Sequence, residues 1–125
     1  MGQELEIIAK KDIFKTRRFT VKVKNKYCFI PTENIKYISS MSYYVEVFTI
    51  NEEKFIQRTS VKDLIQKLDS NLFLRINRST IINVYQIKEL VSEGQGDFSV
   101  SMLDGKYFSL SKIYKKELFH YFGIW

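Results

Sequence analysis

From Arg18 onward the chain repeatedly sets apolar and polar residues in alternation, and this period of two constrains its fold more than any other feature. Phe19, Val21 and Val23 alternate with Thr20, Lys22 and Lys24, the signature of a strand with one face buried and the other in water. Asn25-Lys26 can turn the chain into a second strand, Tyr27-Cys28-Phe29-Ile30. Pro31-Thr32-Glu33-Asn34 holds the only proline and predicts a break or a single helical turn. Alternation returns over Ile35–Ile38, is interrupted by the small polar stretch SSMSYY (39–44), and resumes with Val45, Val47 and Thr49 on one face. Asn51-Glu52 suits a hairpin turn, which makes 53–59 the returning strand.

The period becomes helical only twice. Ser60 suits the N-cap of a helix whose Val61, Leu64, Ile65 and Leu68 share one face. Ser111 is expected to cap a final helix with Ile113, Leu118, Phe119 and Phe122 as its apolar side. Between the two helices, 72–76 reads as a strand, 77–83 as irregular, and 87–93 as a strand. A GQGD turn at 94–97 leads to a strand at 98–102, and Asp104-Gly105 is a strong hairpin signal before a last strand, 106–110. The fold expected from the residues is one mainly β, mostly antiparallel domain over 18–125 with two short helices, preceded at 1–17 by a tail or linker.

Several chemistries have no support. One cysteine, Cys28, and one histidine, His120, cannot build a disulfide framework or a Cys/His metal cluster. Gly94 and Gly96 fall in a hairpin turn, not between a strand and a helix, so no phosphate-binding fingerprint is present. No nucleophile elbow occurs, and Asp63, Asp69, Asp97 and Asp104 sit where solvated helix and turn positions explain them. The expectation is a non-enzymatic protein without metal or cofactor. With no apolar run of membrane-spanning length and no signal-peptide core, a cytoplasmic location is expected.

Charge is more suggestive. The net charge is +6. Residues 10–26 carry Lys10, Lys11, Lys15, Arg17, Arg18, Lys22, Lys24 and Lys26 against Asp12 alone. Such a stretch favours an anionic partner, nucleic acid or a membrane surface, or simply keeps a small domain soluble. Charge alone does not choose between these. The pointed feature is FLRINRSTIINVYQI (73–87), where Arg75, Asn77, Arg78, Ser79 and Thr80 stand between two pieces of apparent core. With SSMSYY and SKIYKK (111–116) it makes three clusters that join hydroxyls or amides to basic or aromatic residues. These are side chains that reach phosphates and base edges, and Ser111-Lys112 opens a helix whose free amides can seat a phosphate. Any one cluster alone is better explained by tight-turn or ion-pair chemistry; three in a basic domain favour binding.

The stretch FLRINRSTIINVYQIKEL resembles the signature F-x-R-x-H-R-S-x-[IV]-[IV]-N-x-x-x-I of the LytTR DNA-binding domain, the output module of many bacterial LytR/AlgR-type two-component and quorum-sensing regulators. Phe73, Arg75, Arg78, Ser79, Ile81, Ile82, Asn83 and Ile87 stand where the signature wants them. IPTENIKYISSMSYYVEVFT upstream and YFSLSKIYKKEL downstream are similar to the family's opening strands and closing hairpin and helix. The likeness runs from about Arg18 to Phe122. Asn77 departs from it, replacing the usual histidine with a group that keeps a donor and an acceptor but does not titrate.

This resemblance implies an elongated stack of antiparallel β-sheets whose loops, not a recognition helix, enter successive major grooves on one face of double-stranded DNA. The implied contact loops are Ser40–Tyr44, Asn77–Ser79 and Ser111–Lys115. Within them the expected contacts are Ser42, Tyr43, Asn77, Arg78, Ser79, Ser111, Lys112 and Lys115, with Arg78 on a base edge or phosphate and Lys112 on a phosphate. Arg75 and Asn83 are expected to be scaffold. The implied partner is promoter DNA carrying paired direct repeats, with self-association on the DNA. Family members usually carry an N-terminal phosphoacceptor domain, which residues 1–17 cannot hold, so the chain is expected to be either an isolated output domain or a free-standing one. The alternative is a protein- or membrane-surface interaction module using the basic segment 10–26.

Overall fold

A computed structural model describes residues 18–124. The expected tail at 1–17 lies outside the described residues, as does half of the basic segment. Ten strands and two α-helices succeed one another in the described chain: β1 (Arg18–Val23), β2 (Lys26–Pro31), β3 (Ile35–Met41), β4 (Tyr44–Thr49), β5 (Lys54–Gln57), α1 (Val61–Lys67), β6 (Phe73–Asn77), β7 (Thr80–Asn83), β8 (Ile87–Gly94), β9 (Asp97–Met102), β10 (Tyr107–Leu110) and α2 (Lys112–Tyr121). Single 3-10 turns occupy Thr32–Asn34 and Val84–Gln86.

The strands form three antiparallel sheets, ordered β1-β2, β5-β4-β3-β7-β6 and β10-β9-β8. They stack because the five-stranded sheet is apolar on both sides. One side buries Ile38, Val45, Val47, Phe73 and Ile81 against Phe19, Val21 and Ile30 of the first hairpin and Val61, Leu64 and Leu68 around α1. The other buries Tyr37, Leu74, Ile76 and Ile82 against Val100, Met102 and Leu110 of the third sheet and Leu118 of α2. The expected mainly β stack with two helices is what the chain forms. Helix α1 begins as its sequence suggests, with the Ser60 hydroxyl accepting from the Asp63 N–H at 3.0 Å.

Four expectations need correction. Residues 77–83 are not irregular: Thr80–Asn83 is a fully buried strand paired with β6 and β3. Ile81 packs into one core and Ile82 into the other, so a strand buried on both faces shows no alternation to read. SSMSYY is not a loop, because Ser39, Ser40 and Met41 remain in β3, paired with Glu46, Val45 and Tyr44. Only Ser42-Tyr43 turns. At the end of a hairpin both faces meet water, so the ladder continues after the apolar pattern stops. Ile113 is not on the apolar side of α2; it is 79% exposed. Five residues separate it from Leu118, which places it about 140° round the helix. Asp104 is not a merely solvated turn residue. Its Oδ2 accepts from Lys36 Nζ at 2.8 Å and from the Tyr37 hydroxyl at 2.7 Å, joining the third sheet to the central one.

Candidate nucleic-acid interface

The three clusters lie far apart in sequence, and the fold fastens them in a row. The β6–β7 turn is the middle member. On one side, the Ser40 N–H donates to the Ser79 carbonyl at 2.8 Å, joining it to the β3–β4 hairpin. On the other, the Ser111 N–H donates to the Ile76 carbonyl at 2.8 Å, and Asn77 Nδ2 donates to the Ser109 carbonyl at 2.9 Å. The Arg75 guanidinium lies over the Tyr114 ring, 5.3 Å from its centroid, a further tie to α2.

Within the middle turn the polar residues divide sharply by role. Arg75 is used up inside the protein, its Nε donating to the Asn77 carbonyl at 3.2 Å and its Nη2 to that of Arg78. Asn77 Oδ1 accepts from both the N–H and the hydroxyl of Ser79, at 2.9 and 3.1 Å. Arg78 is left exposed at the tip, and no protein group among the described residues holds its guanidinium. Asn83, 1% exposed, fixes the far end of β7: its Nδ2 donates to the Ile35 carbonyl at 2.9 Å and its Oδ1 accepts from the Tyr85 N–H at 2.9 Å. It is scaffold, as expected.

The outer members differ. Ser42 turns the β3–β4 hairpin at φ 56°, a left-handed conformation costly for a side chain, and Tyr43 beside it is 78% exposed. In α2, Ser111 occupies the N-cap position with no side-chain capping bond, so its hydroxyl does not serve the helix as expected. Lys112 is exposed and makes only a loose surface ion pair with Asp97, at 3.8 Å, a contact that is weak in water. Lys115 is committed inward, donating to the Gly96 carbonyl at 3.0 Å and lying 4.8 and 5.3 Å from the centroids of the Phe98 and Phe119 rings. The structure therefore brings all eight expected residues to one region, leaving Tyr43, Arg78 and Lys112 presented outward and Asn77 and Lys115 tied within.

One contributor went unread in the sequence. An open cleft of about 530 Å³ runs between the two hairpin turns and the start of α1, lined by Ser42, Arg78, Ser79, Thr59 and Lys62 among others. Lys62 is exposed in the first turn of α1, where the helix dipole disfavours a cation. That mismatch was the available signal.

Electrostatics also tie the third sheet to the start of β3. Burial alone would raise the Asp104 carboxyl, but the hydrogen bonds from Lys36, Tyr37 and the Lys106 N–H, with the Lys36 charge, outweigh it and hold the group at about 2. Burial pushes the Tyr37 hydroxyl up, and the Asp104 carboxylate raises it further, so Tyr37 stays a donor. Among the described residues no group of three or more His, Cys, Asp or Glu side chains is arranged to hold a metal ion, and no helix is long and apolar enough to cross a membrane.

Comparison with known proteins bears on the fold and the family. A sequence model of the LytTr DNA-binding domain matches residues 25–123. The sensory transduction protein LytT of Bacillus subtilis (strain 168) is 27% identical over 101 residues, an alignment covering 81% of this chain and 42% of LytT. The chain thus spans less than half the length of that relative. A solved LytTr DNA-binding domain from Bacillus cereus superposes with a TM-score of 0.76 at 22% identity, covering 87% of this chain and 99% of the other. At that identity the likeness is one of fold.

Proposed function

The chain belongs to the LytTR DNA-binding domain family, and on that premise we propose that it reads a specific double-stranded DNA site as the output domain of a bacterial transcriptional regulator of the two-component type. The observation that carries this reading is the row of three fastened segments, with Arg78 at its centre, exposed and without a partner for its guanidinium among the described residues. A planar guanidinium on a rigid turn suits bidentate contact with a guanine edge or a phosphate. Lys112, Ser111 and Lys62 on either side suit phosphates. Tyr43 and Ser42, at the tip of the β3–β4 hairpin, suit a neighbouring groove. Turns held by sheet pairing together with side-chain hydrogen bonds lose little freedom on binding, which favours affinity.

In this reading the loops enter successive major grooves along one face of the duplex, and two copies occupy direct repeats side by side. Selecting bound duplexes from a random pool tests it. The expected result is enrichment of a short motif, recurring at about 10 base pairs or a multiple of that spacing when two copies bind. Affinity for the selected duplex should fall steeply with salt, with a slope of about −0.9 per phosphate neutralised. A pool that yields no motif, with equal affinity for every duplex, refutes specific reading.

A further inference from the structure

We propose that Asn77 is a positioning residue rather than a DNA contact: its side-chain amide sets where Arg78 stands by fastening the β6–β7 turn to β10. The inference rests on the DNA-binding reading above and assigns the origin of its precision.

Sheet pairing alone does not fix this turn. The β6–β7 register slips between Arg75, opposite Ile81, and Asn77, opposite Thr80. Such an irregularity bends a strand and re-aims the residues beyond it. Asn77 supplies the missing constraint with both ends of one planar group. Its Oδ1 closes the turn around Arg78 by accepting from Ser79 N–H and Oγ–H. Its Nδ2 reaches across to the Ser109 carbonyl, 32 residues on, in the strand that leads into α2. Arg75 holds the carbonyls of Asn77 and Arg78 from the opposite side. The backbone of Arg78 is thus clamped by two side chains, while its guanidinium has no partner among the described residues. An amide used at both ends has little left for a base edge.

The clamp needs an acceptor and a donor on one flat side chain. Neutral imidazole has both; imidazolium has two donors and no acceptor. The two roles for this position therefore predict opposite pH responses in Asn77→His. The groups around the site are Arg75 and Arg78 on its own hairpin, the Ser109 carbonyl from β10, and Tyr114 from α2 beneath Arg75.

The test measures binding of a duplex selected by the wild-type protein, using wild type, Asn77→Ala, Arg78→Ala, the double variant and Asn77→His. Positioning predicts that Asn77→Ala weakens binding about tenfold, on the scale of lost loop-holding hydrogen bonds. It also predicts that the double variant binds no worse than Arg78→Ala alone, because Asn77 acts through Arg78. Asn77→His should bind well at pH 8 and progressively worse as the pH falls through and below about 6.5, beyond any change in wild type. A base-contacting Asn77 predicts additive losses, and Asn77→His binding tighter in acid as an imidazolium meets phosphate; either result overturns the proposal. Wild type that shows no preference for its selected duplex overturns the DNA reading itself, a separate outcome.

Discussion

Removing the Asp104 carboxylate should loosen the stack that aligns the three segments, and the structure gives the effect a size and a pH dependence. Asp104 in the β9–β10 turn accepts from Lys36 and Tyr37 of β3, and its other oxygen accepts from the Lys106 N–H at 2.9 Å. Asp104→Asn keeps the shape and the Lys106 bond, removes the charge, and offers a donor to a lysine that has only donors. A carboxyl held at about 2 when folded, against 3.8 unperturbed, corresponds to roughly 2–2.5 kcal/mol of folding free energy. The side chain is 26% exposed and sits at the surface, so screening lowers this to about 1 kcal/mol. For a domain of this size that is a fall in Tm of about 4 °C at pH 7. Because the folded value is depressed, the stabilisation is present above about pH 4 and is lost as pH falls towards 2. The gap between wild type and Asp104→Asn should therefore close over that window. Thermal unfolding monitored by circular dichroism at pH 7, 5, 3.5 and 2.5 reads it directly. Equal Tm values at pH 7, or a gap that persists unchanged at pH 2.5, would refute the latch.

Three other substitutions are informative. Asn83→Ala leaves the buried Ile35 carbonyl and the Tyr85 N–H without their partner and should cost about 2–3 kcal/mol, measured by urea unfolding. Ser42→Gly relieves a left-handed backbone at φ 56° and should hold or raise stability by up to about 1 kcal/mol, whereas Ser42→Val should lower it; thermal unfolding of the pair reads both. Lys62→Ala should weaken binding to selected and shuffled duplexes alike and reduce the salt slope by about 1, with Tm unchanged or slightly raised; a loss confined to the selected duplex would count against a phosphate role.

The sequence made the peripheral strands and both helices legible because each has one wet face. Val45, Val47 and Thr49 alternate with exposed or half-exposed neighbours, and Ser60 announces α1 through a bond that forms. The interior strand β7 was hidden because Ile81 and Ile82 serve two cores at once. At the candidate site, residue types located all three segments. They did not separate presented from committed side chains: Lys112 and Lys115 look equivalent in SKIYKK, yet only the fold sets Phe98, Phe119 and the Gly96 carbonyl around Lys115. Lys62 went unread because its neighbours in the cleft come from β3, β4 and the β6–β7 turn, a juxtaposition no local pattern carries. Asp104 was misread for the same reason, its partners lying 67 and 68 residues away.

Arg78 carries the central claim, so the most direct test compares Arg78→Ala with wild type on a selected duplex and on a shuffled one by fluorescence anisotropy. A base-reading arginine on a rigid turn predicts a loss of about 1–3 kcal/mol on the selected duplex, a much smaller loss on the shuffled one, and an unchanged Tm. Equal affinity of the variant and wild type for the selected duplex would contradict the account.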